Sequence, residues 1–292
     1  MDTTSDTNHT DVNYDYSKEP IEIRKVDTFA GFRWLKKGIN DLKVSPSLSL
    51  GYGLVYAVLG LILIGLTYKT PIYAFGMVTL FYILGPLIAV GLYCMSRHIE
   101  AGVKPKWDKE GCRALCYNPE GYIGFAIIIG MLVVFWTIIA AAVIALNVSN
   151  IAIGDSLKDT LLLLMQDKQI HSIMGLLFLI GLAFAVLSYM ISVISIPLMT
   201  HRKVDVVTAM IASAKSVMKN PLAMLIWAAI IVAMIGLGFM FAFVGVAVTL
   251  PIIGHASWHV YRELIVDDRV LTAKPDCDTP PFFKKKKSVS NA

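Results

Sequence analysis

Long apolar runs alternate with short polar connections along the chain, at a spacing that fits membrane-spanning helices. A bilayer core of about 30 Å takes roughly 20 apolar helical residues. Stretches of that length run from about Leu48 to Thr67, Ile72 to Cys94, Tyr122 to Leu146, Ile173 to Met199 and Leu222 to His259. As one helix rising about 1.5 Å per residue, the last would reach nearly twice the core thickness. Gly236-Leu237-Gly238 offers a break, because paired glycines weaken helix continuation and permit a tight turn. The pattern predicts six spans, the last two about Leu222–Ile235 and Phe239–His259.

Ahead of the first span the period changes. Phe32, Leu35, Ile39 and Leu42 share one helical face with lysines elsewhere, and Pro46 ends the segment. Val207 to Pro221 repeats this design before the fifth span, and Gly111 to Pro119 is a shorter version before the third. The second span of each pair carries its own proline, at Pro86, Pro197 and Pro251. Placing Pro86 over Pro251 also sets Arg97 over Arg262. The fold predicted is an all-α integral membrane protein: six transmembrane helices as three pseudo-repeated hairpins, each preceded by a cytoplasmic interfacial amphipathic helix. Proline cannot continue the first helix but fits the first turn of the next, so Pro46, Pro119 and Pro221 make the corners. The middle hairpin has a longer outer loop, in which Asp155–Gln166 is expected to form a small helix.

Composition agrees with lipid as the main solvent. Of the 292 residues only 16% are charged, against about 25% in soluble domains, and mean hydropathy is +0.66. Basic residues number 7, 5, 4 and 7 in one alternating set of connections and 1, 2 and 0 in the other. Translocated segments avoid Lys and Arg, so both termini are expected in the cytoplasm. Residues 1–23 read as a disordered polar tail, 24–267 as the membrane domain and 268–292 as a basic cytoplasmic tail. Met1–Glu19 lacks the basic and apolar regions of a cleavable signal peptide. The Lys284–Lys287 run suits anionic headgroups, and nothing accompanies it as a folded nucleic-acid surface.

Chemistry is sparse. The expected spans Leu48–Thr67, Ile72–Cys94, Tyr122–Leu146 and Ile173–Met199 contain no Asp, Glu, Lys, Arg or His. That argues against ion-coupled transport and removes most candidates for acid–base catalysis within the bilayer. The exception closes the last span. His255 and His259 are four residues apart and share a helix face. In the repeat alignment His201 falls on His255, Cys94 on His259 and His98 on Glu263, a ring that could bind haem or copper at the inner mouth. The competing reading makes these interfacial polar residues, with Trp258 and Tyr261 in an aromatic belt, Arg262 beside Glu263, and Trp34 as their counterpart before the first span. Cys112 and Cys116 suit one helix face but lack a second ligand pair.

Trp34-Leu-Lys-Lys-Gly-Ile-Asn-Asp-Leu42, Pro46-Ser-Leu-Ser-Leu-Gly-Tyr-Gly-Leu54 and Pro251-Ile-Ile-Gly-His255-Ala-Ser-Trp-His259-Val-Tyr-Arg-Glu-Leu264 resemble a bacterial inner-membrane protein family, domain of unknown function 2189. The resemblance covers about Arg24 to Asp267. It implies a bacterial inner membrane and six spans, and brings no activity, substrate or catalytic residue. The function expected is that of a non-enzymatic accessory or assembly protein binding membrane lipids or another inner-membrane protein complex. Haem or copper binding at the inner mouth, and passage of a small uncharged solute, are the alternatives.

Overall fold

The computed structural model describes residues 21–67, 89–105, 118–147, 168–240 and 245–266. Most of the second expected span with Pro86, the short amphipathic segment at 111–117, the outer-loop helix and both tails lie outside the described residues.

The described chain is helical: α1 (Ala30–Val44), α2 (Pro46–Thr67), α3 (Val90–Glu100), α4 (Pro119–Asn147), α5 (Lys168–Ser192), α6 (Ser195–His201), α7 (Val206–Lys219), α8 (Pro221–Met240) and α9 (Val246–Leu264). By length and composition four segments can cross a membrane: Pro46–Leu63, Pro119–Leu146, His171–His201 and Pro221–Met240. Their outward faces are apolar. Leu54, Phe135, Phe178 and Val232 are each 59% exposed or more, an area of unpaired hydrocarbon that water would not tolerate and lipid does.

The proline corners form as expected. Ser45 caps α1 with φ −132° and ψ 61°, and Asn220 caps α7 with φ −129° and ψ 53°. In each case the next residue is the proline that starts a long apolar helix. Asn220 also clamps the extended segment ahead of α1, its Oδ1 accepting from Val26 N (2.9 Å) and its Nδ2 donating to Arg24 O (3.0 Å). Asn118, the residue before Pro119, donates to Val204 O (2.8 Å) just ahead of α7. The segment before α1 meets the end of α9 through a lone antiparallel bridge, Ile23 to Ile265.

The face of α1 turned to the protein is not its apolar stripe. Ala30, Gly31, Trp34, Gly38 and Asp41 are buried, whereas Phe32 is exposed and Leu35, Ile39 and Leu42 are only partly covered. Gly38 is needed there: a Cβ would stand 2.7 Å from Ile252 O and Ala256 N of α9.

Two boundaries differ from the pattern reading. The helix expected to break at Gly236-Leu237-Gly238 runs on to Met240, and the next begins at Val246. Gly238 serves close approach instead, since a Cβ on it would meet Thr249 Oγ1 at 2.6 Å, and one on Gly245 would meet Gly238 O at 2.7 Å. The stretch expected as Ile173–Met199 is interrupted at Val193-Ile194, four and three residues before Pro197. A proline ring crowds the carbonyl four residues back, which is where that helix stops.

Helix α9 is the centre of the packing, with Pro251 to Trp258 buried without a gap. It packs on α1, α2, α3, α6 and α8. Pro251 leaves Ala247 without its usual helical donor, and Gly53 of α2 closes over that carbonyl so tightly that a Cβ would sit 1.8 Å from Ala247 O.

Candidate functional site

Where α1, α2, α3 and α9 meet, five buried polar side chains form one hydrogen-bonded cluster: Asp41, Ser45, Ser49, Ser96 and His255. Asp41 lies one turn before the Ser45 corner and Ser49 one turn after it, so a single four-residue spacing carries polar groups from the end of α1 into α2. Ser96 Oγ donates to Asp41 Oδ2 (2.6 Å) and lies 2.7 Å from His255 Nδ1. His255 Nε2 is 2.8 Å from Ser49 Oγ, which is also 2.8 Å from Ser45 O. At the outer end, His259 Nε2 is 2.8 Å from the same Asp41 Oδ2.

Hydroxyl geometry fixes much of the proton arrangement. Ser96 has one hydrogen and gives it to Asp41, so its oxygen accepts from His255 Nδ1–H. His259 faces a carboxylate already accepting from Ser96, so its Nε2 must carry hydrogen. With His255 neutral, its Nε2 accepts the single Ser49 hydrogen, for which Ser45 O competes, and the chain then runs His259, Asp41, Ser96, His255, Ser49. Serine, histidine and aspartate are all present, yet this is not a nucleophile site. Ser49 is fully buried, and the nitrogen that a catalytic carboxylate would orient faces Ser96 instead.

His259 opens the chain to the surface. It lines a cleft of about 510 Å3 with Arg24, Lys25, Val26, Asp27, Arg33, Lys37, Glu100, Arg262 and Glu263. Part of this charge is spent internally. Arg33 pairs with both Asp27 and Glu263, and Arg262 Nε donates to Glu100 Oε1 (3.1 Å). Lys37 acts electrostatically on Glu263, and with Arg24, Lys25, Arg33 and Arg262 also lining the cleft against Asp27, Glu100 and Glu263, its lining carries a surplus of positive charge. Burial raises the Glu263 carboxyl, but its hydrogen bonds from Arg33 and Trp34 outweigh that, and it ends below the usual carboxylate range. The hydrogen bond from Arg33 likewise lowers Asp27.

The expected His/Cys ring is dispersed among separate partners. His255 and His259 belong to the chain above, His201 Nδ1 meets Tyr261 OH (2.6 Å), and His98 Nδ1 donates to Cys94 O (2.8 Å) within its own helix. Among the described residues no three of His, Cys, Asp or Glu converge as metal ligands do. The aromatic residues expected at the lipid interface are inside: Trp34, Trp258 and Tyr261 are fully buried. Their polar edges explain it. Trp258 Nε1 donates to Glu100 Oε2 (2.7 Å) and Trp34 Nε1 to Glu263 Oε2 (3.0 Å), and a buried indole N–H needs such an acceptor. Asp41, Ser49, Ser96 and Glu100 are the site residues that pattern reading passed over.

No curated protein and no solved structure matches the chain. The model of one family, described as a predicted integral membrane protein (DUF2189), matches residues 72–201. That stretch is narrower than the resemblance read from the sequence and contains neither the Trp34 nor the Pro251 motif. Together with the apolar outward faces, the match identifies the chain as an integral membrane protein whose residues 72–201 carry the DUF2189 family pattern.

Proposed function

We propose that this is a non-enzymatic accessory protein of a bacterial inner membrane that binds anionic phospholipid headgroups in the basic cleft between α1, α3 and α9. In this reading six helices cross the membrane as three hairpin units, and both termini are cytoplasmic. The matching corner geometry at Ser45 and Asn220 supports the units. So does the way Asn118 and Asn220 each hold the segment preceding an interfacial helix. Helix α1 then lies in the headgroup plane with Phe32 toward lipid and its lysines toward phosphates.

The observation that carries the lipid assignment is the cleft itself. Arg24, Lys25 and Lys37 line it, none of them in an ion pair with another described residue, although Lys37 acts electrostatically on Glu263, and an exposed apolar face lies beside them. Free positive charge next to lipid-facing hydrocarbon is the arrangement that takes a phosphodiester headgroup with its chains left in the bilayer. The test is native mass spectrometry of the purified protein released from nanodiscs of phosphatidylethanolamine with phosphatidylglycerol. Retained phosphatidylglycerol is expected, with loss of roughly tenfold or more in the Arg24→Glu, Lys25→Glu, Lys37→Glu variant, since each such charge contributes about 1 kcal/mol at a membrane surface. Equal retention of both lipids by both proteins contradicts the reading.

A further inference from the structure

One buried carboxylate serves two imidazoles. Asp41 Oδ2 accepts from His259 Nε2 directly and reaches His255 through Ser96. A lone carboxylate offsets one imidazolium, so a charge on His259 and a charge on His255 exclude one another. Of the two, only His259 also lines the cleft. Its Nε2 is committed to Asp41, so Nδ1 is the atom that gains a proton.

We propose that the cleft takes up a proton together with its anion: His259, held by Asp41, becomes an imidazolium as a phosphate group enters, while His255 stays neutral. The proton comes from water, and the only bond formed is N–H. This rests on the reading of the cleft as a phosphate-binding site and adds its regulation: occupancy rises as the cytoplasm acidifies.

The surroundings of His259 are compatible with such a switch. From α1 it is approached by Asp41, Arg33 and Lys37, from α3 by Glu100, and from the segment before α1 by Arg24, Lys25 and Asp27. Its own helix supplies Arg262 and Glu263 at the cleft and His255 one turn inward. His201 of α6 is occupied with Tyr261 and Trp258, α8 carries no ionisable side chain, and α2 contributes only the tyrosines Tyr52 and Tyr56. The carboxylates of Asp27 and Glu263 are held by Arg33, and that of Glu100 by Arg262 and Trp258. This leaves Asp41 as the acceptor facing the His259 ring.

The experiment is calorimetric titration of the full-length protein in dodecyl maltoside with dihexanoyl-phosphatidylglycerol, whose phosphodiester does not itself titrate near neutrality. Paired buffers of different ionisation enthalpy count the protons. Uptake of up to one proton per headgroup is expected, with affinity falling toward about tenfold per pH unit on the alkaline side. In Asp41→Asn and His259→Gln, both checked for folding by thermal melts, uptake disappears and the remaining affinity no longer varies with pH. A parallel titration with sulfate separates lipid from free anion: equal binding and equal uptake uphold the proton linkage and make the ligand a free oxyanion. Binding without proton uptake overturns this inference and leaves the lipid reading intact. Binding of neither probe overturns both.

Discussion

Asp41 is a carboxylate buried at the junction of four helices, with a serine and a histidine as its hydrogen-bonding partners. Glu263, which lines the cleft, is held instead by Arg33 and Trp34 and sits below its ordinary range. A carboxyl whose folded pKa is depressed stabilises the protein above its unfolded pKa, and that contribution fades as pH falls through the folded value. Melting temperature should therefore fall as the pH drops below about 5, and Arg33→Gln should flatten that dependence while lowering the neutral-pH value. An Arg33→Gln protein with the same acid profile as the parent would contradict the assignment. The His255/His259 pair was legible in the sequence from its four-residue spacing. Its partners were not, because Ser49 and Asp41 stand 206 and 218 positions away. The available signal was the run Asp41, Ser45, Ser49, a polar line that continues at helical spacing straight through a proline corner.

At the level of elements, glycine and proline work as pairs across helices more than as breaks within them. Pro251 exposes the carbonyl of Ala247, and Gly53 lets α2 close over it. Gly53→Ala should destabilise the protein by about 1–3 kcal/mol, the usual cost of overpacking. Nothing lies within 4 Å of a Cβ at Gly236, so Gly236→Ala should be neutral or stabilise by up to about 1 kcal/mol through helix propensity. Thermal melts in detergent compare the two, and a destabilised Gly236→Ala protein would restore the break first expected there. Hydropathy located α2 and α4 well and found the apolar bodies of α5 and α8 but not their ends, because lipid-facing helices announce themselves by composition. It misjudged the start of α9, a helix buried from Pro251 to Trp258 that carries Ser257, His255 and His259, and its limits follow from packing partners that no local window contains.

At the scale of the whole molecule, apolar helices form the outside, and the polar chemistry gathers at one end, where the segment before α1, the end of α3 and the end of α9 converge. That division places water at the cleft and lipid around Leu54, Phe135, Phe178 and Val232. In the proposed topology the cleft faces the cytoplasm and the start of α5 lies on the opposite side. Single cysteines at Lys37 and Lys168 in an otherwise cysteine-free chain test this with a membrane-impermeant maleimide. Intact spheroplasts should label Lys168→Cys and leave Lys37→Cys untouched, with the reverse in inverted vesicles. Labelling of Lys37→Cys from outside intact spheroplasts would contradict the account.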